Sequence, residues 1–149
     1  MSEILFVCTG NTCRSPMAEG LLKQYDHGEE RRVLSAGIMA ADGQGASQMA
    51  VETMKKRGID LTKHRSRSLT IEMIEQADWV LTMTENHKNH ILLLLPEHTN
   101  KVKTLKEFHD SKTKDRNIMD PFGRSISAYE KTADELERLI QALIHQNKL

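Results

Sequence analysis

The stretch from residue 4 to residue 17, Ile-Leu-Phe-Val-Cys-Thr-Gly-Asn-Thr-Cys-Arg-Ser-Pro-Met, constrains the fold of this chain more than any other. Ile4 to Val7 form a short apolar run of the kind that makes a buried strand. A loop follows at once, from Cys8 to Arg14. Gly10 permits close backbone approach there, and Asn11 can hold the loop by bonding backbone groups or by adopting a left-handed conformation. Ser15 and Pro16 predict the start of a helix, Ser15 at the N-cap and Pro16 at the first helical position, where a missing N–H costs nothing. Strand, glycine-containing loop and helix N-terminus in that order build an anion site. Unpaired N–H groups and the positive end of the helix dipole converge on the loop.

The same loop carries a thiol at its first position and an arginine at its last. A thiol beside a helix N-terminus and a guanidinium is favoured as the thiolate, the nucleophilic form. An arginine at the far end can fork onto two oxygens of a phosphate. Nucleophile and oxyanion clamp therefore share one seven-residue cradle. A structural cysteine before an ordinary capped helix would leave Gly10, Asn11, Cys13 and Arg14 unexplained. The pattern Cys-x5-Arg-Ser is the signature of cysteine-based phosphatases. Set within Val-Cys-Thr-Gly-Asn-Thr-Cys-Arg-Ser-Pro near the N-terminus, it resembles the low-molecular-weight protein tyrosine phosphatase family. Ser35-Ala36-Gly37 and Asp120-Pro121-Phe122-Gly123 match further landmarks of that family in order and distance, so the resemblance runs the length of the chain.

Length and charge narrow the remaining classes. A chain of 149 residues suits one domain, here residues 1–149, with a sizeable core. Acidic and basic residues balance at 21 each, which argues against a broad electrostatic footprint for nucleic acid or an anionic membrane. The longest apolar runs, such as Ile91 to Leu95, have five residues and fall far short of a membrane span. The N-terminus lacks the pattern of a secretory signal. The two cysteines both sit in the first loop, which is no disulfide framework and suits a reducing cytoplasm.

Along the chain, strand-like and helix-like segments alternate. Ala18, Leu21, Leu22 and Tyr25 put one apolar face on the first helix, which should end at His27-Gly28. Arg32 to Ala36 reads as a strand closed by Gly37, and a helix follows from about Ser47 to Arg57. Lys63 to Arg67 lies in a polar, basic stretch that reads as a solvated crossing. Thr70 can cap a short helix, Asp78 to Met83 is a third strand, and Thr84 can cap a helix that Pro96 stops. On that helix Ile91 to Leu95 should face the core, while His87 and His90 read as a solvated face with no third metal ligand. Lys101 to Leu105 is a weaker strand suited to a sheet edge. Phe108 to Met119 is a polar connection, and a long last helix opens with Ser127 and Glu130 as a capping box.

Alternation of this kind implies an α/β fold, a parallel sheet covered on both faces, with its site beyond the carboxyl ends of the strands. The resemblance sharpens this to a three-layer sandwich around a four-stranded parallel sheet. It also implies a reaction: Cys8 attacks phosphorus and becomes a phosphocysteine, which water then hydrolyses. The backbone N–H groups from Thr9 to Ser15, with the Arg14 side chain, would hold the equatorial oxygens. Ser15 would stabilise the Cys8 thiolate, and Asp120 would be the general acid. On chemistry alone Asp110 and Asp115 remain alternatives to Asp120. Cys13 reads as a resolving thiol able to trap oxidised Cys8 as a disulfide, or else as a small core residue. The mechanism needs no cofactor or metal, and the implied partners are phosphorylated proteins.

Two positions bear on the substrate. Thr12 stands where tyrosine-directed relatives carry a bulkier aliphatic residue, and arginine-directed relatives have this threonine. Phe122 is followed by Gly123, so only one aromatic wall is left where animal tyrosine-directed relatives have two. Met39, Ala40 and Ala41 add no aromatic on the other wall. A guanidinium suits such a mouth, with Asp120 to orient it. Phosphoarginine is the expected substrate and phosphotyrosine the alternative. An arsenate reductase would need cysteines after Cys13, and there are none. A non-catalytic phosphate-binding or redox-sensing module would keep the cradle but discard the nucleophile or the acid.

Overall fold

The computed structural model describes residues 2–26 and 31–149. Four strands, β1 (Ser2–Cys8), β2 (Arg31–Gly37), β3 (Trp79–Thr82) and β4 (Val102–Thr104), make one sheet in the order β2-β1-β3-β4. Every pairing is parallel. β1 is central because it is apolar on both faces: Ile4 to Val7 are all fully buried. Its side chains alternate between two cores, as the strand period of two requires. Ile4, Phe6 and Cys8 face one core and Leu5 and Val7 the other. The first core is filled by α1 (Arg14–Tyr25), α2 (Gln48–Lys55), α5 (Leu105–His109) and α6 (Ile126–His145). The second is covered by α3 (Ile71–Gln76) and α4 (Glu85–Leu94). The three-layer α/β sandwich expected from the sequence is what forms.

Several boundaries differ from expectation, each for a local reason. α1 begins at Arg14 with Cys13 at its N-cap, two residues earlier than the expected Ser15 cap. The amide of Met17 already donates to the Cys13 carbonyl, 3.1 Å away, so the first turn closes there. Pro16 becomes the third helical residue, still among the positions whose N–H has no helical partner. α6 is capped by Ser125, whose hydroxyl accepts from the Ala128 amide, so the Ser127–Glu130 box does not form. The stretch expected as a polar connection from Phe108 overlaps α5, which opens on a capping box between Thr104 and Glu107. Phe108 packs against Trp79 in a tilted ring contact with centroids 4.6 Å apart, which gives the short helix its anchor. β4 is trimmed to three residues and lies at the sheet edge, as expected.

Thr70 and Thr84 cap α3 and α4 as the sequence indicated. Pro96 ends α4 and opens a single 3-10 turn, Pro96–His98. The run Ile91 to Leu95 is not all core: Ile91 is buried, but Leu93 is 83% and Leu94 70% exposed, because a helix can turn only one stripe of a continuous run inward. The expected helix end at His27-Gly28 lies outside the described residues.

Candidate active site

The parallel order sends every strand's carboxyl end to the same edge, and there the loop after β1 wraps around the Cys8 sulfur. The Ser15 hydroxyl lies 2.8 Å from that sulfur, and the Asn11 amide donates to it over 3.3 Å. This explains why Ser15 does not cap α1: its oxygen is taken by the thiol and by the side-chain amide of Asn11, 2.9 Å away. Asn11 sits at φ 56° and is fully buried, so its backbone carries the left-handed bend that closes the cradle.

The bend is braced from outside the loop. The side-chain nitrogen of Asn11 also donates to the Ser35 hydroxyl at 2.9 Å, and Ser35 in turn donates to Glu19. The Asn11 side-chain oxygen accepts from the Arg67 amide at 3.0 Å, and the His64 Nε2 lies 2.8 Å from the Asn11 carbonyl. The basic stretch Lys63 to Arg67 is thus not a plain solvated crossing; its backbone and one imidazole hold the phosphate loop in shape. Gly37 completes the brace. A Cβ there would lie 2.6 Å from the Thr9 carbonyl and 2.9 Å from the Asn11 nitrogen, so only glycine lets β2 pass so close.

Arg14 and Asp120 meet at the rim. One guanidinium nitrogen donates to the Ile118 carbonyl at 2.9 Å, and the other lies 3.6 Å from the Asp120 carboxylate. Arg14 is buried, which fixes its fork, whereas the Asp120 side chain is 53% exposed and free to meet a ligand. The other Asp120 oxygen accepts from the Phe122 amide, a local turn that sets the carboxylate's direction. Asp110 and Asp115 do not line this cavity; Asp115 is paired with Lys106 at 2.9 Å. A cavity of about 290 Å³ is walled by Cys8, Gly10, Thr12, Arg14, Asp120 and Phe122, with Thr9, Cys13 and Met39 at its borders. Phe122 is its one aromatic wall and is 68% exposed.

Cys13 is buried and borders the same cavity as Cys8, and both are free thiols. Its sulfur donates to the Ser47 hydroxyl at 3.4 Å and lies 3.3 Å from the Tyr129 hydroxyl. Burial, with the Cys13 sulfur beside it, pushes the Tyr129 hydroxyl up to about 12, so it stays protonated.

His87 departs from expectation. It is buried, not solvated, and its Nε2 lies 2.9 Å from the Thr9 hydroxyl. Burial, reinforced by the Arg14 charge and opposed by Asp120, lowers it from 6.5 to about 4, so it is neutral at pH 7. A sequence signal was available: Thr84 caps α4 at the carboxyl end of β3, and the third helical residue there is His87. Ser35, Glu19 and Tyr129 had no comparable local signal. Among the described residues no three His, Cys, Asp or Glu side chains gather to hold a metal, and no helix is long and apolar enough to cross a membrane.

Comparison with known proteins agrees with this geometry. Residues 3–149 match the family described as low molecular weight phosphotyrosine protein phosphatase. The chain is 45% identical over 148 residues to a protein-arginine-phosphatase of Bacillus subtilis (strain 168), covering 98% of this chain and 97% of that one. It is 48% identical over 142 residues to a protein-arginine-phosphatase of Geobacillus stearothermophilus, covering 95% and 93%. The solved YwlE arginine phosphatase from Geobacillus stearothermophilus superposes with a TM-score of 0.91 at 45% identity, over 98% of this chain and 92% of that one.

Proposed function

This chain belongs to the low molecular weight phosphotyrosine protein phosphatase family, and on that premise we propose that it removes phosphoryl groups from arginine side chains of proteins. One observation carries the reading: a single cavity holds a thiol, a buried guanidinium, a rim carboxylate and the small polar Thr12 together. Relatives named protein-arginine-phosphatase at 45% and 48% identity support it.

The chemistry runs in two displacements. The Cys8 thiolate attacks phosphorus in line with the scissile P–N bond. An S–P bond forms as the P–N bond breaks, and Asp120 gives its proton to the departing guanidine nitrogen. Arg14 and the loop's N–H groups hold the three equatorial oxygens, where charge gathers. Asp120, now a carboxylate, takes a proton from water as that water attacks phosphorus. The S–P bond breaks, phosphate leaves, and Ser15 at 2.8 Å receives the returning thiolate with a hydrogen bond. Cys13, held by Ser47 and Tyr129 in the same loop, serves as the resolving thiol that captures oxidised Cys8 as a disulfide.

Thr12 sets the choice of leaving group. Its short side chain lines the cavity and leaves room for a planar guanidinium beside Asp120. Phosphotyrosine is the second reading, favoured by the exposed Phe122 ring at the mouth. The deciding experiment compares kcat/KM for phosphoarginine and phosphotyrosine peptides in the wild type and in Thr12→Ile. Wild type preferring phosphoarginine, with the variant swinging toward phosphotyrosine, is the expected result. A wild type that prefers phosphotyrosine overturns the arginine reading and leaves the phosphatase chemistry standing.

A further inference from the structure

The Cys8 cavity does not end at Asp120. Thr9, Arg14, Met39 and Asp120 line it and also line a second cavity of about 460 Å³ under the first turn of α4. Thr9 therefore stands, with Asp120, on the wall shared by the two. Its carbonyl is fixed by the Met39 amide at 2.9 Å, and its hydroxyl is held by His87 at 2.9 Å. His87 is itself fixed, because its amide donates to the Thr84 cap at 3.2 Å and its ring is buried. A threonine hydroxyl at an exposed loop position would ordinarily rotate among its staggered positions. Here a buried imidazole holds it in one.

A guanidinium carries N–H donors all round its plane, and one carboxylate satisfies only one edge. We propose that the Thr9 hydroxyl, held in place by His87, is a second acceptor for the substrate guanidinium, beside Asp120 on the wall between the two cavities. The inference rests on the phosphoarginine reading and adds a specificity residue to it. A neutral imidazole with its proton on Nδ1 suits the role: in that tautomer Nε2 accepts the Thr9 proton and leaves both lone pairs of the hydroxyl oxygen to the substrate. The neutral state follows from the burial that holds His87 near 4. A phenyl ester has no N–H to offer at that place, so the contact separates the two substrate classes. Sites built to bond a substrate N–H discriminate strongly against analogues that lack it.

Thr9 makes no other side-chain bond among the described residues, so its partner His87 allows a coupled test. Initial rates are measured for wild type, Thr9→Val, Thr9→Ser, His87→Leu, His87→Gln and the Thr9→Val/His87→Leu double variant. The substrates are a phosphoarginine peptide and a generic aryl phosphate, and the readout is the ratio of their kcat/KM values. Loss of one hydrogen bond predicts a fall of about tenfold in that ratio for Thr9→Val, expressed in KM for the phosphoarginine peptide. Thr9→Ser keeps the ratio. His87→Leu lowers it several-fold, His87→Gln restores part of it, and the double variant falls no further than Thr9→Val. A ratio unchanged in Thr9→Val, or additive effects in the double variant, overturns this inference alone. A wild type that does not turn over phosphoarginine removes the reading beneath it as well.

Discussion

Two side chains at the rim divide the labour at the level of single residues. Arg14 is buried and doubly anchored, to the Ile118 carbonyl and toward Asp120, so its fork is fixed before a phosphate arrives. Lysine has the charge but not the fork, and Arg14→Lys should lower kcat by ~10²-fold or more in steady-state assays. Asp120 is exposed, and as the proposed acid it would move a proton without gripping the phosphoryl oxygens. Asp120→Asn should lower kcat by ~10²–10⁴-fold with KM little changed, and equal losses in kcat and in phosphate affinity would deny it the acid role. Cys8 and Arg14 are readable from the sequence because they lie within one loop, where spacing sets the geometry; the contact of Ser15 with Cys8 comes only through the family likeness, and the cap that spacing predicts at Ser15 does not form. Asp120 was reached only through the family likeness, since chemistry could not separate it from Asp110 and Asp115. His87 was misread as solvated because helix periodicity says which residues share a face, not what that face meets.

Among elements, the loop between β1 and α1 owes its shape to neighbours far along the chain. Ser35 and Gly37 on β2 and the stretch from His64 to Arg67 all reach Asn11 or its surroundings. A methyl at Gly37 would press on two backbone atoms of the loop, which cannot swing aside as a side chain can. Gly37→Ala should cost ~1–3 kcal/mol of stability by thermal unfolding. It should also lower kcat well beyond that loss, because misplacing a reacting group by about 1 Å can cost ~10²-fold. A variant with normal kcat would show that the loop holds its shape unaided. The caps at Thr70 and Thr84 were legible since capping is local. The α5 capping box is hidden in the sequence because Thr104 also reads as strand, and the tertiary contact of Phe108 with Trp79 supplies what that five-residue helix lacks by itself.

The sheet as a whole ties stability to the site. An alternating order of strands and helices made the α/β class legible, because β1 is apolar on both faces and must be covered twice. Burying His87 against the site has a thermodynamic consequence. Its folded value is about 4, while an unfolded histidine titrates near 6.5. Between those values the unfolded chain binds the proton that the fold excludes, so stability rises with pH across this window and falls as pH drops through it. Tm should decline from about pH 6.5 toward pH 4, and His87→Leu should flatten that slope. A slope that His87→Leu leaves intact would assign it to other groups. Glu107, whose pairing with Lys88 opposes its burial and leaves it below the usual glutamate value, acts at the acid end of this range, as an independent carboxylate contribution. The whole fold is proposed to serve one step, delivery of the Cys8 thiolate to phosphorus. Its most direct test mixes the wild-type enzyme with a phosphoarginine protein, quenches within the first turnover, and locates the phosphoryl group by mass spectrometry. A phosphoryl group on Cys8 that forms and decays at the rate of turnover is the predicted result; turnover with Cys8 unmodified at every time point would contradict it.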